Sequence, residues 1–138
     1  MTIKVPNEGE LKIIEWALND DSTTAPEDFT LEIFKNDYTP VDTSTGSDFT
    51  AATFTGYSAA TLTRGSFSGP TTNAQGKAEL TYTEQQWDAS SDETVYGYWV
   101  RGATSGTVIW AERFSGARPL TNGDTIRIVP KITCKTEY

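Results

Sequence analysis

Acidic side chains are the residues of this chain that could support catalysis. Glu112 follows Trp110 by two positions in a predicted strand, and Asp88, Asp92 and Glu93 lie in one polar stretch. Two carboxylates are the machinery of glycoside hydrolysis, in which one protonates the leaving group and the other acts as nucleophile or base. An exposed strand acid and a solvated turn explain the same residues without catalysis, and we favour that interpretation.

Other familiar catalytic arrangements are missing from the sequence. The chain has no histidine, so neither a Ser-His-Asp nor a Cys-His arrangement can be built. It has no GxSxG elbow, and its glycines lie in turn-like contexts rather than in a phosphate-binding loop between a strand and a helix. We therefore expect no enzymatic activity and no cofactor.

Two acidic stretches contain the oxygen ligands that calcium prefers. They are residues 19–21 (NDD) and 88–93 (DASSDE), which offer carboxylate and carbonyl oxygens. Neither stretch has the spacing of a known calcium loop, and a charged surface turn is usually only solvated. We expect no metal site.

The four tryptophans, at positions 16, 87, 99 and 110, could form either a core or a binding surface. Trp99 and Trp110 could make a sugar-binding platform, because aromatic faces stack on pyranose rings. Burial is the favoured alternative for aromatic residues in strands. Segment 95–100 (VYGYWV) is apolar on both faces, so the N-terminal helix, a second sheet or a neighbouring subunit must cover the face that the main core does not.

Charge and composition exclude several classes of partner. With 11 basic and 19 acidic residues the net charge is −8, which repels nucleic acid. No apolar run is long enough for a membrane span, and the N-terminus has no signal region, so we expect a protein made in the cytoplasm. The single cysteine, Cys134, excludes an internal disulfide and is predicted to be a structural thiol in a strand.

One segment has the spacing of a helix. Leu11, Ile14 and Leu18 recur at i, i+3 and i+7, with further apolar residues beside them. This spacing predicts a helix over residues 8–18. Asn7, followed by a glutamate three residues later, is predicted to cap its N-terminus.

From residue 29 onward the pattern changes to the period of two that is typical of strands. Turn signals recur about every ten residues. The predicted strands are 29–34, 49–54, 59–63, 78–83, 95–101, 107–114 and 124–135.

These elements predict the fold class. We expect one all-β domain over residues 1–138, with an extended segment at 1–7 and strands across 29–135. Short strands at this spacing favour an antiparallel β-sandwich or a jelly-roll-like barrel, here with one short N-terminal α-helix.

Six segments carry a resemblance to a known family: 5–10 (VPNEGE), 29–34 (FTLEIF), 54–57 (FTGY), 95–100 (VYGYWV), 109–114 (IWAERF) and 123–130 (GDTIRIVP). Through them the chain resembles small virion structural proteins of tailed bacteriophages over most of its length. The resemblance implies a capsid decoration (cement) protein that binds the assembled head and stabilises it. The alternative that it implies is a tail or fibre component for host attachment, with glycan-binding aromatics.

The resemblance also implies partners, namely the major capsid protein and copies of the chain itself in a homotrimer. The partner-binding site predicted from the residues is Ile3, Lys4, Val5 and Pro6, because an extended apolar and basic segment can add to another chain's sheet edge. Pairing with its own sheet is the alternative. Because copies of charge −8 repel one another, the partner's surface should be locally basic or the contacts mostly apolar.

Overall fold

The computed structural model describes residues 2–18 and 26–134. In these residues, helix α1 spans Asn7–Leu18 and a 3-10 turn spans Gly46–Asp48. The strands are β1 (Thr2–Lys4), β2 (Phe29–Phe34), β3 (Ala60–Leu62), β4 (Ser68–Thr72), β5 (Ala78–Thr81), β6 (Gln85–Asp88), β7 (Glu93–Gly102), β8 (Val108–Leu120), β9 (Thr125–Ile128) and β10 (Lys131–Thr133).

The described strands form three antiparallel sheets. The largest has the order β1-β8-β7-β2-β3, the second has the order β10-β5-β4, and β6 pairs with β9 in the third. This arrangement confirms the predicted all-β, sandwich-like fold with one short helix.

The main core lies on one face of the five-stranded sheet. Leu31 of β2 and Val100 of β7 are fully buried there, and Trp110 of β8 is almost so. The two-stranded sheet contributes Trp87 and Ile126 to the same cluster, and Ile132 of the three-stranded sheet packs against it. Burial of this apolar area is the main force that holds the layers together.

The other face of the large sheet carries a second, aromatic core. Phe34 and Trp99 lie there, and Phe49 stacks on Trp99 with ring centroids 5.0 Å apart. Tyr38 also packs against this cluster. The loop between β2 and β3 covers this second face of the sheet. The sequence had suggested the N-terminal helix, a second sheet or a neighbouring subunit for that place.

Two strand predictions and one turn signal, at residues 68–70, are corrected by the structure. Residues 49–54 are not a strand and make a single bridge, from Ala51 to Phe34: Phe49 packs into the aromatic core, whereas Phe54 packs into the main core. The predicted strand 124–135 is divided between β9 and β10 at Pro130, which cannot donate to a ladder. Residues 68–70 appear in the sequence as a turn but begin β4, an edge strand, where proline is tolerated.

Helix α1 begins at Asn7, one residue earlier than predicted, so Asn7 is the first helical residue and not the cap. The Pro6 carbonyl accepts the N–H groups of Gly9 and Glu10. The Glu8 carboxylate accepts the Val108 N–H at 2.8 Å, which ties the start of the helix to β8.

Gly9 lets the helix approach β8 closely. We therefore expect replacement of this helical glycine by alanine to lower the stability of the fold instead of raising it. In most helices Gly→Ala stabilises by up to about 1 kcal/mol. A Cβ at Gly9 would lie 2.5 Å from the Val108 carbonyl oxygen and 2.6 Å from that of Ile109. We expect Gly9→Ala to lower the free energy of unfolding by about 1–2 kcal/mol, measured by urea unfolding. Equal or higher stability would show that the helix can shift at no cost.

Glu93 predicts a pH dependence of stability. Its carboxylate accepts the Thr53 N–H and hydroxyl, both at 2.8 Å, and the Phe54 N–H at 3.0 Å. Burial raises the pKa of Glu93, but these hydrogen bonds and Lys35 together lower it below its ordinary value of 4.5. The folded chain therefore binds this proton less tightly than the unfolded chain does.

The stabilisation from Glu93 is fully present above pH 4.5 and is lost as the pH falls through the folded-state pKa. We expect Glu93→Gln to lower the Tm at pH 7 and the difference from the unmodified protein to shrink between pH 4.5 and pH 3. Thermal unfolding at several pH values measures this. A difference that stays constant down to pH 3 would contradict the assignment.

Candidate functional site

A concave apolar surface lies between helix α1 and the β10-β5-β4 sheet. We call it the groove, and its volume is about 540 Å³. Ile13 and Trp16 of the helix form one wall, and Pro70, Leu80 and Ile132 lie on the opposite side.

The floor of the groove is continuous with the main core. Trp110 lies in it with only 2% of its surface exposed. Phe67 packs edge-to-face on Trp110 and on Phe29, with centroid distances of 6.3 and 5.9 Å. Trp16 packs on Phe29 at 5.7 Å. Aromatic rings held on several sides give the groove a fixed shape.

Few polar side chains line the groove, and this decides what it can bind. Arg64 and Glu79 are the charged residues in its lining, and Glu79 accepts a hydrogen bond from Asn73 at 3.2 Å. A sugar needs several converging hydrogen-bond partners, whereas apolar side chains need only a matching apolar surface. The groove therefore suits apolar side chains.

The outer side of α1 carries the apolar residues whose spacing predicted the helix. Leu11, Ile14 and Leu18 are 70, 57 and 84% exposed. The side that faces the body carries Gly9 and the half-buried Trp16. We call the exposed line of Leu11, Ile14 and Leu18 the ridge. An apolar line of this length on a surface helix is typical of an interaction site.

The predicted partner-binding segment is placed within the chain's own fold. Ile3 and Lys4 belong to β1, which pairs with β8 at one edge of the five-stranded sheet. Val5 packs against the main core and Pro6 is fully buried. Lys4 forms an ion pair with Asp42. The segment thus pairs with its own sheet, as the alternative had it, and partner binding through it stays a prediction.

The two tryptophans considered as a sugar platform are buried. Trp99 is 3% exposed and Trp110 is 2% exposed, and they lie in different core clusters on opposite faces of the large sheet. The favoured alternative, burial, is confirmed for both residues. They cannot form one joint platform in this structure.

Glu112 is also buried rather than exposed, which corrects its interpretation as a solvated strand acid. It is 4% exposed and accepts a hydrogen bond from the Tyr98 hydroxyl, with the two oxygens 2.7 Å apart. Burial and the neighbouring Glu112 carboxylate raise the pKa of Tyr98 far above its ordinary value, so the phenol stays protonated and donates. This pair satisfies two buried polar groups across β7 and β8.

The acidic stretch at 88–93 is occupied by internal hydrogen bonds. Asp88 accepts the Thr125 hydroxyl at 2.7 Å, and Asp92 accepts the Asn122 N–H at 3.1 Å. Within residues 2–18 and 26–134, no group of three or more acidic, cysteine or histidine side chains has the arrangement of a metal site. The other stretch, 19–21, lies outside the described residues.

Cys134 differs from its prediction as a strand residue. It follows the last residue of β10, and its side chain is exposed at the groove. Its N–H still donates to the Ala78 carbonyl, which continues the pairing by one hydrogen bond.

Comparison with known families assigns the chain to a family. A sequence model of the family described as podophage GP4 fiber I protein gp80 matches residues 5–132. The chain belongs to this gp80 family. Among curated proteins, no sequence matches it.

Membership of the gp80 family confirms the coarser part of the resemblance. The chain is a phage structural protein and a component of the virion. The family description names a fibre protein and not a capsid decoration protein, so the capsid surface and the homotrimer stay predictions. No helix in the described part of this gp80-family chain is long and apolar enough to cross a membrane.

Sequence reasoning missed most of the groove in this gp80-family chain. Phe67 lay between a predicted strand and a turn signal, so no periodicity marked it. Leu80 and Ile132 were assigned to strands, but their pairing within one sheet, Ile132 opposite Leu80, depends on tertiary contacts. The apolar spacing of the helix was the one signal in the sequence for this region. The spacing alone could not show which face of the helix is exposed.

Proposed function

We propose that this chain is a fibre component of a podophage virion. The observation that carries the proposal is the match to the fibre family over residues 5–132, which includes the helix and every described strand except β1 and the last residue of β10. A tail or fibre role was the alternative that the resemblance implied, and we now prefer it to the capsid decoration role.

The surfaces of the chain suit a structural protein that assembles with other proteins better than they suit an enzyme. The groove and the ridge are apolar and point to protein contacts. The strongest catalytic candidate, Glu112, is bound to Tyr98 inside the fold. We therefore propose a structural role without catalysis, with other virion proteins and copies of the chain as partners and no nucleic acid or membrane.

A glycan-binding role is not included in the proposal. The two tryptophans that suggested it are buried, and the groove has few hydrogen-bonding side chains. Host attachment would then be a property of the assembled fibre.

The location in the particle tests the fibre proposal. A short epitope tag placed at Ala74–Gln75, in the exposed turn between β4 and β5, is introduced into the phage, and virions are imaged with gold-labelled antibody. A matched virion without the tag is the control. We expect label on fibres at the tail and none on the head shell.

Regular label over the capsid surface would overturn the fibre proposal and favour the cement role. A second measurement separates the two in solution. Purified chain is mixed with capsids that lack it, and the temperature of DNA release is followed. A fibre component should leave that temperature unchanged, whereas a cement protein should raise it.

A further inference from the structure

The groove and the ridge lie on the two sides of one helix. Ile13 and Trp16 on the inner side of α1 form a wall of the groove, while Leu11, Ile14 and Leu18 project from the outer side. One surface is concave and the other convex, and both are apolar. The chain thus carries two apolar surfaces of opposite shape, and neither is covered by the described residues.

The ridge has the spacing of a packing seam. Its residues follow at intervals of three and four, which place them along one line of the helix and correspond to the a and d positions of a heptad. A row of side chains on a helix can pack into a groove between other elements, because each side chain fits into the space between side chains of the facing surface.

Charges around the two surfaces are complementary. Glu10 lies exposed beside the ridge, and Lys12 pairs with Glu15 along its other flank. The groove presents Arg64, which forms no ion pair with any described residue, and Glu79. Glu10 beside the ridge can thus meet Arg64, whereas two ridges placed together would set their flanking glutamates against each other.

We propose that the ridge of one copy occupies the groove of a second copy. A net charge of −8 repels copies at long range, so their contact must have an apolar centre, which the ridge and groove supply. Because the two surfaces differ, the contact is head-to-tail, and repetition around an axis closes it into a ring in which every ridge and every groove is covered. This interface does not depend on where the ring sits in the virion.

Sedimentation of ridge variants is the first test. We expect the purified chain to be oligomeric at micromolar concentration and both Ile14→Asp and Leu18→Asp to weaken association at least about 100-fold, because a carboxylate would enter an apolar groove. Leu18 is 84% exposed, so Leu18→Asp should keep the monomer's fold, which circular dichroism checks. Val129→Asp is the matched control, since Val129 is 50% exposed outside the ridge and the groove lining.

A monomer at all concentrations would overturn the proposal and leave the groove for another virion protein. An oligomer that both ridge variants leave intact would overturn it as well, and so would equal weakening by Val129→Asp.

Disulfide trapping is the second test, and it uses the native cysteine at the groove. In the Leu18→Cys variant, each copy carries one thiol on the ridge and Cys134 beside the groove. We expect mild oxidation to give a covalent ladder that ends at the size of the ring, and Cys134→Ser to abolish it. Dimers that persist in the Leu18→Cys, Cys134→Ser double variant would show ridge-to-ridge contact and would overturn the head-to-tail arrangement.

Discussion

Replacing Trp110 by alanine is expected to lower the free energy of unfolding by about 3–5 kcal/mol. The indole is 2% exposed, touches Phe67, and places its Nε1 3.4 Å from the Tyr98 hydroxyl. Its removal would leave a large cavity beneath the groove and remove the packing of the aromatic floor. Urea unfolding followed by circular dichroism measures the loss.

Trp16→Ala is the matched comparison for Trp110→Ala. Trp16 is only half-buried at the wall of the groove, so the same truncation should cost the fold less. Both variants should be compared at two protein concentrations, because association adds to apparent stability. If Trp110→Ala lowers the free energy of unfolding by less than about 1 kcal/mol, Trp110 does not belong to the core and a place on a binding surface is favoured again.

Gly97→Ala is expected to destabilise the fold by about 3 kcal/mol, at the upper end of the cost of overpacking a core. Gly97 lies buried in β7, where a Cβ would clash with the Glu112 carbonyl oxygen and with the ring of Phe34. The carbonyl belongs to the ladder between β7 and β8, and the ring is fully buried, so neither neighbour can move without breaking other contacts. Thermal and urea unfolding measure the effect.

The control for Gly97→Ala is a glycine of the neighbouring strand. Gly116 has nothing within 4 Å of an added Cβ, so Gly116→Ala should be neutral within about 0.5 kcal/mol. Combining Gly97→Ala with Phe34→Leu should recover part of the loss, because the ring clash is relieved while the carbonyl clash remains. Strict additivity of the two changes would contradict direct contact between them.

The strand pattern shows what local sequence can predict. Phe29, Leu31 and Ile33 alternate with Thr30, Glu32 and Phe34, and β2 forms at the predicted bounds because the first three face the main core. β7 and β8 were also found, although the structure extends β8 to Leu120. Their periodicity reports a buried face, which is why it could be read without knowledge of the partner strands.

The N-terminal helix shows the limit of the same reasoning. Its apolar spacing predicted its existence and nearly its bounds, but not which side is buried. Gly9 decides that, because only a residue without a Cβ allows the backbone of α1 to lie against β8. The ridge therefore faces outward, although it is the more apolar side.

The sequence alone determined the fold class, the helix and most strands, the exclusion of histidine-based catalysis and the resemblance to phage virion proteins. The resemblance rests on the six matching segments, and the others follow from composition and periodicity, which are local. Only the tertiary structure decided that Trp99 and Trp110 are buried, that Glu112 is held by Tyr98, and that a groove lies beside an exposed apolar ridge. Each of these depends on which strands become neighbours and how closely elements approach, and such long-range contacts leave no periodic signal in the chain.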